Sequence, residues 1–304
     1  MEVESVDHTP VLPRAVCELL NVGRDDVVVD ATIGLGGHAA LFAERLGASG
    51  TLIGIDADAR SLQTAEARLA GVAPRVEFVH ANFADVTRVL DSLGIPKVDV
   101  LFADLGVSSQ QLDDPERGFS FQQDGPLDMR IDSRLPDAAS DLVNRMGERE
   151  LGDLFYYNSQ EQASRRIARR VCQRRREGRI TRTAQLVRIV EEVLGVHSGS
   201  RRSRIHPATR TFLALRIAVN DEIARLGDLL AAAPGLLKPG GRFGVIAFHS
   251  VEDRPVKLDF RKRKAEGIYH IVTKKPVVAD SEERRSNPRS RSAKLRVALR
   301  LPAP

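Results

Sequence analysis

The residues best placed for chemistry stand where short apolar runs end. Asp30 closes the run VVVD and leads into Ala31-Thr32-Ile33-Gly34-Leu35-Gly36-Gly37-His38. Glycines there let the backbone turn tightly and bring its N–H groups to a ligand at the positive end of a following helix. Asp56 ends the next apolar run, TLIGID, where an acid can accept both hydroxyls of a ribose. Together these features describe a nucleoside-cofactor site, with simple strand-on-helix packing as the plainer role for the glycines. Gly34-x-Gly36-x-x-Ala39 also satisfies the dinucleotide fingerprint, so an NAD-dependent oxidoreductase has to be weighed against a methyltransferase. Asp30 favours the second: a carboxylate at the mouth of the turn repels a pyrophosphate and suits the ammonium group of S-adenosylmethionine. Asn82-Phe83 could hold an adenine, although Phe83 serves equally well as core.

A fourth apolar run, VDVLFA, ends in Asp104. In open α/β sheets the ligand lies beyond the carboxyl ends of the strands, so Asp104 is expected in one cleft with Gly36 and Asp56. An acid there could draw the N–H of an exocyclic base amine aside and make its nitrogen more nucleophilic; capping the next turn is the structural alternative. Amino-methyltransferases of DNA carry two prolines and an aromatic residue after this acid, and Asp104-Leu105-Gly106-Val107 has neither. A base would have to stack elsewhere, on Phe119, Phe121 or Phe248, each of which also reads as core. Phe248 leads into His249-Ser250-Val251-Glu252-Asp253-Arg254, in which His249 and Asp253 could orient the base or take a proton, or in which the segment simply starts a helix.

Arginine recurs at 165, 166, 169, 170, 174, 175, 176, 179, 182 and 188 at spacings that put several on one helical face, a stripe suited to phosphates. Arg201, Arg202 and Arg204, and then Arg284, Arg285, Arg289 and Arg291, could extend the track. The formal net charge of +5 is modest, so it is the clustering that points to a polyanion.

The elements that must hold these residues are an α/β alternation. Strands are predicted at Val27–Asp30, Thr51–Asp56, Val76–His80 and Val98–Asp104, with helices near 37–46, 57–70 and 85–93. After Asp104 about a hundred residues pass before a fifth strand at Gly241–Phe248, which predicts an inserted, mainly helical domain. The expected division is residues 1–108 as the first part of the core, 109–205 as the insertion and 206–304 as the second part. Helices are expected over 140–194, a mobile linker over Ser198–Ser203, and one long helix over 206–237. Two last strands, Tyr269–Thr273 and Ala293–Leu299, are expected to pair as an antiparallel edge. The two cysteines, Cys17 and Cys172, form no CxxC pair and suggest core thiols in a reducing compartment. No export signal or membrane span is seen, so a cytoplasmic setting is expected, and no metal site is expected.

In this order the motifs closely resemble the bacterial 16S ribosomal RNA cytosine-N4 methyltransferases. The matching blocks are His8-Thr9-Pro10-Val11-Leu12, GLGGH, DLGVSSQQLD, RGFSF, Gly125-Pro126-Leu127-Asp128-Met129-Arg130, HPATRTF from His206, FHSVEDR, and NPRSRS from Asn287. Departures are small: Val251 for a usual Leu, Pro255 after the EDR block and Leu213 for a frequent Gln. The resemblance implies a class I S-adenosylmethionine-dependent methyltransferase (Rossmann-like) sheet with an inserted helical domain. It places cofactor contacts on Gly36, Gly37, His38, Asp56, Phe83, Asp104 and Gln111. It also implies that the product is cytidine 1402 of 16S rRNA methylated on its exocyclic amine, with the small ribosomal subunit as the expected setting of that RNA and a homodimer left open. Asp104 thereby has two roles, cofactor contact and amine polarisation, which the sequence does not separate. A non-catalytic ribosome-assembly factor on the same fold is the remaining alternative.

Overall fold

The computed structural model describes residues 9–195 and 206–302. His8, the expected linker Ser198–Ser203, and Arg201, Arg202 and Arg204 lie outside the described residues. The chain divides into two compact units, Met1–Gly106 with Ile223–Pro304, and Val107–Glu222. The expected return to the core at 206 therefore falls later, after Glu222.

The first unit is built on a seven-stranded sheet in the order β3-β2-β1-β4-β5-β7-β6. Its strands are β1 (Val27–Asp30), β2 (Thr51–Asp56), β3 (Arg75–His80), β4 (Val98–Asp104), β5 (Leu237–Ala247), β6 (Tyr269–Ile271) and β7 (Lys294–Arg300). The first five run parallel, and β7 pairs antiparallel with both β5 and β6. This is the sheet that the resemblance implied, with the two C-terminal strands forming the expected antiparallel edge.

Side chains that alternate along each strand feed two apolar layers. Val29, Ile53, Leu101 and Val245 face one, where α4 (Val86–Ser92), α11 (Glu222–Leu236) and α12 (Ser250–Ala265) supply Val89, Leu229 and Phe260. Val28, Leu52, Val100 and Ile246 face the other, covered by α1 (Pro13–Leu20), α2 (Gly37–Ala43) and α3 (Ala59–Arg68) through Val16, Phe42 and Leu62. The parallel strands read as nearly unbroken apolar runs because both faces are buried.

The second unit is helical: α5 (Ser109–Asp113), α6 (Ala139–Arg145), α7 (Glu148–Ser159), α8 (Ser164–Arg174), α9 (Thr183–Leu194) and α10 (Thr209–Asn220). Its own core holds Phe119, Met129, Phe155, Ile167, Leu186 and Leu215. The single helix expected over 206–237 is two, α10 and α11, broken at Asp221, which sits at φ 51°. The short polar side chains of Asn and Asp tolerate that left-handed conformation. Asn220 has a reason to end the helix there, because its side chain accepts from Ile131 N at 2.7 Å and donates to Met129 O at 2.8 Å.

Candidate active site

The carboxyl ends of β1, β2 and β4 are adjacent, and each ends in an aspartate: Asp30, Asp56 and Asp104. The loops that leave them are stitched together by backbone bonds. Ala31 N donates to Phe102 O at 2.8 Å, Ile33 N to Ile55 O at 2.9 Å, and Leu105 N to Ile246 O at 3.0 Å. Thr32 ties the glycine turn to the end of β4, its Oγ1 accepting from Asp104 N at 2.6 Å. Gly36 takes φ 78° just before α2, and a Cβ there would come within 3.3 Å of Ala65 in α3, so the turn needs glycine both for its conformation and for its close approach.

The three acids differ in how they are satisfied. Asp56 accepts from Gly34 N at 2.8 Å and from Asp58 N at 2.8 Å, which fixes its carboxylate against the glycine turn. Burial nonetheless pushes it up to about 6. Asp30 is 1% exposed and accepts from Thr32 N at 3.2 Å; burial raises it to about 7, opposed by that bond and helped by the charge of Asp56. Asp104 is raised well above the usual range, first by burial and then by Asp30 and Glu252. Its Oδ1 is buried without a hydrogen-bond partner, and its Oδ2 lies 3.6 Å from His38 Nδ1. His38 is itself buried, with Nε2 donating to Val11 O at 2.8 Å, so its Nδ1 faces the Asp104 carboxylate. Three desolvated carboxylates in one cleft are costly as anions, and the cost falls sharply once a cation sits among them.

Gly36, Gly37, His38, Asp56 and Asp104 are thus brought together as the sequence led us to expect. Phe83 borders the same end of the sheet but its ring is partly buried against the first apolar layer, and Asn82 caps the turn after β3 by accepting from Ala84 N at 3.0 Å. His249 is the N-cap of α12, with Nε2 3.0 Å from Glu252 Oε1, while Glu252 Oε2 accepts from Phe248 N at 3.0 Å. Asp253 departs from the proton-handling role expected of it. Its two oxygens accept from Arg296 Nε and Nη2 of β7 at 2.6 and 3.0 Å, a pairing that locks α12 to the sheet. No local pattern announces this pairing, because the partners stand 43 residues apart.

Gln111 belongs to the helical unit, where it forms a capping box with Ser108: Gln111 Oε1 accepts from Ser108 N at 2.9 Å. Phe119 and Phe121 are also in that unit, the first in its core and the second against the rings of His206 and Phe212 at 4.6 and 4.9 Å. Phe248 packs on the second apolar layer of the sheet unit. The arginine stripe is largely spoken for. Arg165 pairs with Asp153, Arg170 and Arg174 with Glu192, Arg179 with Asp141 and Arg182 with Asp124, while Arg175 donates to Val143 O and Met146 O. Exposed Arg169, Arg176 and Arg188 make no ion pair among the described residues. No helix among the described residues is long and apolar enough to cross a membrane.

The chain is similar to known proteins over nearly its whole length. A model described as the MraW methylase family matches residues 5–301. Ribosomal RNA small subunit methyltransferase H of Sorangium cellulosum (strain So ce56) is 48% identical over 294 residues, 97% of this chain and 91% of that protein. The proteins of the same name from Koribacter versatilis (strain Ellin345) and Geobacter sulfurreducens (strain ATCC 51573 / DSM 12127 / PCA) are 45% and 46% identical, covering 98% and 97% of this chain and 95% and 99% of their own.

Proposed function

The chain belongs to the MraW methylase family, and we propose that it methylates the exocyclic N4 amine of cytidine 1402 in 16S ribosomal RNA, in the cytoplasm and on the small ribosomal subunit. It is a ribosomal RNA methyltransferase, and S-adenosylmethionine is its cofactor. The donor set fits that cofactor: three carboxylates, destabilised as anions by burial, suit a ligand carrying both a sulfonium and an ammonium, and would repel a pyrophosphate. Asp56 would hold the ribose, the turn from Gly34 to Gly37 the backbone-facing edge, and Asp30 the ammonium. When bound, S-adenosylmethionine supplies an electrophilic methyl group.

The single observation that carries the choice of acceptor is the buried Oδ1 of Asp104, which has no hydrogen-bond partner. A buried acceptor left empty costs free energy, on the order of 1–3 kcal/mol, so its place in the fold asks for a donor from outside the chain. An aromatic amine provides one. An N–H directed at Oδ1 would draw the nitrogen lone pair out of the ring, and Asp104 would so present the amine nitrogen to the methyl group that bound S-adenosylmethionine would supply, with sulfur as the leaving group. The proton released from nitrogen passes to Asp104, whose raised affinity for protons suits the task. His38, 3.6 Å from Oδ2, holds the carboxylate's orientation.

Asp104→Asn keeps the shape and removes the proton acceptor. Labelled methyl transfer to unmodified small subunits should fall about 10²- to 10⁴-fold in kcat, while calorimetry with S-adenosylhomocysteine stays within about tenfold, the effect of one lost polar contact. Nucleoside digestion of the wild-type product should yield N4-methylcytidine. Near-normal turnover by the variant, or a methyl on any other atom, defeats the reading.

A further inference from the structure

The sheet unit carries a second concavity that none of these roles uses. Lys257 and Arg261 of α12 and Lys274, just beyond β6, line a shallow, solvent-open cleft with Phe260, Ile271 and the side of Arg296. Lys257 and Arg261 are four residues apart on one helical face, where like charges repel. Neither they nor Lys274 form an ion pair or hydrogen bond among the described residues. Arg296 already has its countercharge in Asp253, so the cleft as a whole is short of three negative charges. The contrast with the helical unit is plain, since there most of the arginines are matched to acids on neighbouring helices.

We propose that Lys257, Arg261 and Lys274 grip a backbone phosphate of the substrate RNA beside the base being methylated. The inference rests on the ribosomal RNA reading above. What favours a phosphodiester is position. β5 and β6 both run antiparallel to β7, so the chain leaves β6 toward Lys274 at the same edge of the sheet where β4 ends in Asp104. Three strand spacings separate β4 from β6, about 14 Å at about 4.8 Å each. A cationic notch there, fixed to the same sheet as Asp104, anchors a strand near the reacting base and sets its register without reading its sequence.

The test replaces all three by glutamine (Lys257→Gln, Arg261→Gln, Lys274→Gln) and compares this variant with a charge-matched control, Arg45→Gln, Arg75→Gln and Arg88→Gln, on the β3 side of the sheet. With small subunits as substrate the cleft variant should raise KM about tenfold, leave kcat within twofold, and make the salt dependence of RNA binding shallower by about 0.7–0.9 in log–log slope, the amount lost with one phosphate contact. Affinity for S-adenosylhomocysteine should not move. The control should leave KM and slope close to wild type. Wild-type KM and slope in the cleft variant overturn the proposal, as does an equal loss in the control. Binding of inorganic phosphate that disappears in the variant while RNA affinity is kept would reassign the cleft to a free anion and also overturn it. If the wild type itself transfers no methyl to small subunits, it is the ribosomal RNA reading that has failed.

Discussion

A carboxylate that loses its water on folding holds its proton more tightly, and Asp30 shows what this means for one side chain. Its affinity is raised to about 7, against an unfolded value near 3.8. The folded state therefore binds more protons than the unfolded chain between those limits. The stability this contributes is complete below about pH 4 and is lost as pH climbs through 7. For the cofactor-free protein the loss is about 4 kcal/mol, at about 1.4 kcal/mol per unit. Melting curves between pH 5 and pH 8 should show stability falling in the wild type and a flatter profile in Asp30→Asn, and titration calorimetry over the same range should show S-adenosylmethionine binding more tightly as pH rises. A wild-type profile as flat as the variant's would mean that Asp30 stays ionised without help. At this scale the sequence is most legible, because an acid or glycine at a strand end keeps its neighbours whatever the rest of the chain does. Gly36, Asp56 and Asp104 could be picked out on that basis. The partnerless Oδ1 of Asp104 could not, since satisfaction depends on everything around an atom.

Elements were legible where periodicity is strong. All seven strands overlap the runs that predicted them, because strands covered on both faces read as unbroken apolar runs, but β5 starts at Leu237, four residues before the expected Gly241, through the exposed Pro239-Gly240 that had read as a turn. The helix α1 gave no comparable signal in its eight residues, and the break between α10 and α11 turns on Asn220 reaching a loop 89 residues earlier. Long-range ties of this kind also govern α12. Asp253 and Arg296 are 15% and 9% exposed, so removing one partner strands the other's charge inside the unit. Asp253→Ala should lower stability by about 3–5 kcal/mol, seen as a lower urea midpoint, and pairing it with Arg296→Met should restore much of that loss. If the double variant is no better than the single, the pair is not coupled. His249-Ser250-Val251-Glu252-Asp253 looks like one polar cluster in the sequence, yet Glu252 and Asp253 point their carboxylates to different duties, the first to the helix start and the second to β7.

For the molecule as a whole, counting cations overstated what the helical unit offers to a polyanion. Ten arginines made the stripe conspicuous in the sequence, but acids distant along the chain, Asp124, Asp141, Asp153 and Glu192, neutralise much of it. The residues to reverse are Arg169 and Arg176. Changing both to Glu should leave the melting temperature within a few degrees and weaken RNA binding in a salt-dependent manner. Arg170→Glu, which would set two acids against each other at Glu192, should lower the melting temperature instead. Equal RNA affinity in Arg169→Glu/Arg176→Glu and the wild type would leave the stripe as solvated surface.

The division of the sheet unit into two stretches of chain also bears on how the protein is made. During synthesis β4 emerges with one flank bare, and its neighbour β5 follows only after the whole helical unit has been translated, with β7 later still. Through that interval the nascent polypeptide presents an unpaired apolar strand to solvent, a template for misassembly. A helical insertion that packs around its own core can fold meanwhile, which shortens the tether that β5 must travel and so speeds closure of the half-built sheet.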